Sequence, residues 1–212
     1  MKLKAVLAGS AIGLSAIAIS VHAAPVTSLS GTVIPMAALE LQGTDGPITQ
    51  APGIVWSSGA SSVFGYTGAY VFGSNGRWIG FPPMTGTDDS TAAMEYAFST
   101  LQSGVGGVIN YIRPTIGGLP TISVFDSAHT LIESSVLNFS TPGIGEFHGF
   151  LESSAMIAYF SLRGSYIGLR DLTITEVSAI PEPESYALLL AGLGLLGFAA
   201  RRRATSTATA LR

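Results

Sequence analysis

One stretch near the C-terminus does more than any other to limit what this chain can become. Residues 185–200 carry no charge, and Arg201-Arg202-Arg203 follow at once. Just ahead stands Pro181-Glu182-Pro183, where proline fixes φ and disfavours helix in the residue before it. The segment therefore reads as an extended break, a short apolar helix and a cationic stop. A bilayer core asks for ~20 apolar residues and tolerates ~17. The run approaches that length once the arginine stems are added, with their heads snorkelling into the interface. Arginines directly after the run place that end on the cytoplasmic side, so the body upstream is expected outside.

Those three parts, in that order, resemble the PEP-CTERM sorting signal of Gram-negative bacteria: Pro181-Glu182-Pro183, the glycine- and leucine-rich run, and Arg201, Arg202 and Arg203. The resemblance implies that a membrane-embedded exosortase recognises the motif and processes the chain near it, usually in species that make exopolysaccharide. The signal spans 179–203, with the transmembrane helix at 185–200. A short cytoplasmic tail, 204–212, departs from members that stop close to the basic cluster. The same run spells G-x-G-x-x-G at Gly192, Gly194 and Gly197. A dinucleotide site needs a preceding strand and an acid ~20 residues later, and neither is present.

The other end matches. Lys2 and Lys4 form a cationic start, residues 5–21 are uncharged, and Val21-His22-Ala23 offers small residues where signal peptidase reads. Residues 1–23 are thus a signal helix with cleavage after Ala23, since cleavage one residue later would put Pro25 at the scissile bond. An exported precursor results, held in the inner membrane by its tail and facing the periplasm, then handed to the cell surface or matrix.

The body, 24–178, is one domain. It has four arginines, no lysine and eleven acids, a formal charge near −7. Nucleic acid is not an expected partner of such a surface. With no cysteine in the chain, disulfides, thiolate metal sites and cysteine nucleophiles are excluded. Glycine, serine and threonine abound, and short alternating runs recur every 8–12 residues, which argues an all-β antiparallel sandwich of jelly-roll type. Asn75-Gly76 predicts a hairpin between aromatic-rich strands over residues 70–81. Met94, Tyr96 and Phe98 alternate with small or polar residues as a half-buried strand does, although alanines at 93 and 97 leave a helix open. In the last run Ile167 and Leu169 are odd-numbered while Leu172 and Ile174 are even, so a β-bulge is expected at Arg170-Asp171. Several of these strand segments between Tyr66 and Val177 look similar to galactose-binding-like β-sandwiches, a likeness that implies fold rather than function.

Candidate chemistry is sparse. His129 and His148 are nineteen residues apart, not the i, i+4 pair of a helical zinc site, and read as satisfied turn or strand residues. Asp88-Asp89 is the body's adjacent acidic pair, a calcium-loop candidate whose simpler reading is a solvated turn. Glu133, Glu146 and Glu152 offer carboxylates that only the fold can pair. No metal or cofactor is expected, and no enzyme. Aromatics crowd residues 56–81, where the first reading is that they fill the sandwich core; Trp78, Asn75 and Arg77 beside the hairpin turn are the candidate glycan-binding set, Trp78 being the best candidate for exposure. Two readings follow: a non-enzymatic envelope or matrix protein, or a glycan-binding module for the exopolysaccharide.

Overall fold

The computed structural model describes residues 23–59, 61–88, 93–139, 141–176 and 191–193. The leader, Asp89, the sorting residues Pro181, Glu182 and Pro183, Arg201 to Arg203, and the tail 204–212 lie outside them. Among the described residues no helix is long and apolar enough to cross a membrane. Of the expected span, 191–193 are described; they are helical and exposed.

The described body is built of strands. In chain order they begin with β1 (Ala24–Val26), β2 (Thr32–Val33), β3 (Leu41–Thr44), β4 (Ile48–Ala51) and β5 (Ile54–Ser58). Next come β6 (Ser62–Tyr66), β7 (Tyr70–Val71), β8 (Arg77–Trp78) and β9 (Met84–Thr87). The second half holds β10 (Ala93–Gln102), β11 (Gly104–Tyr111), β12 (Thr121–Phe125) and β13 (Leu131–Val136). It closes with β14 (Glu146–Leu151), β15 (Ile157–Arg163) and β16 (Ile167–Thr175). One sheet runs β1-β14-β11-β16-β9-β6-β3 with β2 also on β16; the other runs β13-β12-β15-β10-β5-β4. The last eight strands pair as nested hairpins: β12 with β13, β11 with β14, β10 with β15 and β9 with β16. Because these strands alternate between the sheets on either side of the innermost β12–β13 hairpin, this nesting is jelly-roll wiring, and every pair of the named strands is antiparallel.

Period-two alternation fills the space between the sheets. In β10 Met94, Tyr96 and Phe98 point inward and are buried, so the strand reading prevails over the helix that Ala93 and Ala97 left open. Its neighbours β5 and β15 take both hydrogen-bonding edges, which no helix offers them. Trp56 from one sheet packs on Phe64 from the other, ring centroids 5.2 Å apart, and Tyr96 stacks on Phe160 at 6.5 Å. The Tyr96 hydroxyl bonds Thr85 across the sheets, and burial pushes its phenol well above the ordinary tyrosine range. The expected bulge is present. Gly106 pairs with Thr173 but Val108 with Arg170, so β16 spends one extra residue there, and Asp171 takes φ of 55°. Leu169 and Leu172 thereby both face the core.

Trp56 is fully buried against aromatic neighbours. Trp56→Ala is expected to destabilise the body by about 3–5 kcal/mol, read as a lowered urea midpoint at unchanged slope.

Candidate functional site

The hairpin over residues 70–81 forms as expected, with Tyr70 opposite Trp78 and Val71 opposite Arg77. Its loop is longer than a two-residue turn: Phe72 N donates to Gly76 O at 2.7 Å, and Gly73 and Gly76 hold positive φ. Trp78, the best candidate for exposure, is instead part of a core and not a surface platform. It is 2 % exposed, and Asn75 is fully buried; Arg77 of the set stays exposed. The reason lies in the sheet beneath. Gly86 and Gly168 leave a gap beside Met84 on its outer face, and a Cβ on Gly168 would sit 3.0 Å from the Phe72 ring. The hairpin settles into that gap, burying Phe72 and Trp78 with Met84 in a second small core. Phe72 meets Trp78 edge-on at 5.0 Å. Asn75 acts as a structural clasp: its Nδ2 donates to Tyr111 O at 3.0 Å, and its backbone carbonyl accepts from Asn110 Nδ2 and Gly143 N. Arg170, pushed outward beside the bulge, lies 5.2 Å from the Trp78 ring and 5.0 Å from that of Phe81, with Asp171 at 2.6 Å.

The remaining sequence candidates do not converge. His129, at positive φ in the β12–β13 turn, stacks on Phe125 and sits 3.2 Å from Glu95. His148, in the other sheet, stacks on Phe139 at 4.9 Å with Nε2 3.3 Å from Glu146. Asp88 is exposed, its neighbour Asp89 outside the described residues. Glu133 accepts from the Ser134 amide beside it. Among the described residues no three His, Asp or Glu side chains group as a metal site would.

What the fold does assemble is one end of the sandwich. Ala24 pairs with Leu151, Leu151 with Gly104, and Gly104 with Thr175, a single row across four strands. Chain entry and chain exit therefore lie on the same end, three strand spacings or roughly 14 Å apart. Beside that row a cavity of about 470 Å³ opens between the sheets. Ile34, Ile54 and Ile174 form its floor, and Ser99, Gln102 and Glu176 stand on its walls. Gln102 is 2 % exposed; its Nε2 donates to Thr100 O at 2.7 Å while its Oε1 has no hydrogen bond. The cavity exists because β10 loses step: Ala97 faces Tyr159, yet Gln102 faces Ile157, so extra residues bow out at Ser99 to Leu101. The sequence signal was the failure of alternation after Phe98.

Just beyond Glu176 begins the segment that carries the address. Residues 179–203 match the PEP-CTERM protein-sorting motif. The motif supports an exosortase-sorted chain, an exported and membrane-anchored precursor processed toward the cell surface, with exosortase as its processing partner. No curated protein and no solved structure matches the chain.

Arg170→Ala removes the cation from both rings and strands Asp171 beside the bulge. We expect a loss of about 1–3 kcal/mol in urea unfolding, with red-shifted tryptophan emission as Trp78 gains water.

Proposed function

We propose that this chain is a non-enzymatic structural protein of the cell surface or exopolysaccharide matrix. It crosses the inner membrane on a leader removed by signal peptidase after Ala23, is held by the helix at 185–200, and is released or transferred by exosortase. The observation that carries this reading is the shared end of Ala24 and Thr175 in one sheet row, next to the matched tail. A leader and a tail that both enter the same bilayer ask for such a fold, since the sandwich can close while tethered at either end. From Glu176 to Pro181 is five residues, at most about 18 Å when stretched. Exosortase therefore meets the motif with a finished domain close above it. The likeness of the body to galactose-binding-like sandwiches belongs to this proposal and rests on its strand segments.

A second reading, a glycan-binding module, gains from the cavity rather than from Trp78. A cavity of about 470 Å³ falls in the range of small-ligand sites. Its lining holds an acid, hydroxyls and the unbonded Gln102 Oε1 but no arginine, which suits a neutral polyhydroxylated ligand.

Cell fractionation with intact-mass analysis tests the main reading. Wild type is expected as a processed species outside the inner membrane, and Pro181→Ala with Glu182→Ala as an accumulated membrane-bound precursor. Full-length wild type in the cytosol overturns it. For the second reading, titration with glucose, galactose and lactose is expected to give saturable heat that Gln102→Leu abolishes; no heat with wild type removes it.

A further inference from the structure

The pole opposite the Ala24–Thr175 row holds a second, smaller cavity of about 190 Å³ that neither reading uses. The strand ladder assembles its rim. Ser62 lies opposite Thr87 and Thr87 opposite Ile167, so the next step sets Ser61, Asp88 and Tyr166 in one row, and all three line the cavity. Thr87 and Ile167 are buried, while Asp88 and Tyr166, one residue along, turn outward and are exposed. Tyr166 takes φ of 47°, a left-handed conformation that a bulky residue enters at a cost and that clusters at binding sites.

Val63 and Gly86, paired one step below that row, stand at the base. There a missing side chain admits the hairpin: a Cβ on Gly86 would sit 3.2 Å from Tyr70 Cζ, so the phenol end of Tyr70 lies over that glycine and makes one wall. Tyr70 also packs on Phe72, ring centroids 5.2 Å apart, which ties the wall to the second core. Gln42, opposite Val63, completes the lining on the other side.

The chemistry of this lining is one-sided. It offers two phenols, a carboxylate, an amide and serine hydroxyls, and among the described residues no arginine, lysine or histidine. An anion would meet Asp88 with nothing to offset the repulsion. Burial, with Asp88 and Tyr166 close by, pushes the Tyr70 phenol well above the ordinary tyrosine range, so it stays a neutral hydroxyl. Aromatic rings attract ammonium groups, more strongly away from bulk water, and a carboxylate adds a charge-assisted hydrogen bond. Gln42 and Ser61 can exchange hydrogen bonds with hydroxyls. The volume falls below the roughly 300–1,000 Å³ of drug-sized sites and suits a single sugar ring.

We propose that this cavity binds an amino sugar, with its ammonium on Asp88 beside the Tyr70 and Tyr166 rings and its hydroxyls toward Ser61 and Gln42. The site is separate from the cavity beside Gln102, and it needs neither the leader nor the tail. Because the space takes one ring, a polymer would be held by a chain end or a side group.

The full exported protein is titrated calorimetrically with glucosamine and with glucose at about pH 6, where amines of this kind keep their proton. The expected result is saturable heat with glucosamine, its affinity falling at least about tenfold in Asp88→Asn and in Tyr166→Gly. Any glucose heat is expected to be unchanged in both. Glycine accepts the positive φ at 166, so that variant removes the ring and keeps the turn, and Asp88 is exposed. Both variants should therefore match wild type in circular dichroism. No saturation with glucosamine overturns the proposal, and so does a glucosamine affinity that either variant leaves intact. Glucose heat lost in Asp88→Asn overturns the demand for an ammonium. Glucosamine heat lost in Gln102→Leu but kept in Asp88→Asn belongs to the other cavity and likewise overturns the site.

Discussion

The structure depends on two antiparallel sheets covering each other's apolar face. No disulfide assists them, because the chain has no cysteine, and no metal-ligand group forms among the described residues. The cohesion falls to side chains such as Trp56 on Phe64 between the sheets, with Tyr96 stacked on Phe160 within one of them. Apolar burial is proportional to area and has no direction, so by itself it would permit many registers. Register is fixed instead by polar and backbone devices: the Tyr96–Thr85 bond across the sheets, and the extra residue at Asp171 that brings Leu169 and Leu172 onto the same side. A one-residue slip anywhere in β16 would turn its apolar set outward.

This division explains what was legible in the residues and what was not. Strands with one buried face announce themselves by alternation, so β10 and the phase shift within β16 could be read directly. The nested pairing was suggested by strand number and spacing but needed the fold to show which strand meets which. Trp78 could not be placed by its position in the chain for a specific reason. A residue beside a hairpin turn is ordinarily near solvent, and the glycine gap at Gly86 and Gly168 that receives it comes from strands far along the chain. Both faces of the central sheet are covered, one by its partner sheet and part of the other by the hairpin, and a single strand's pattern cannot reveal a second cover. The cavity beside Gln102 escaped notice because it arises from a loss of register, which in sequence is only an irregularity.

Arg170 shows how one local irregularity serves two layers. The bulge corrects the inward face of β16, and the same extra residue sets Arg170 outward over Trp78 and Phe81 with Asp171 at hand. Core registry and hairpin attachment are therefore coupled through a single backbone defect, although the two clusters are otherwise separate.

The row joining Ala24 to Thr175 also defines what lies at the opposite pole. There Thr87 pairs with Ile167, Ile167 with Tyr111, and Arg163 with both Ala93 and Thr121. The connection after Tyr111 carries exposed Ile116 and Leu119, and exposed Asp88 follows Thr87. Because Ala24 and Thr175 share one end of the sandwich, these loops stand at the pole farthest from both. Insertions and sequence drift there can change what that pole presents without disturbing the strand row in which the body begins and ends.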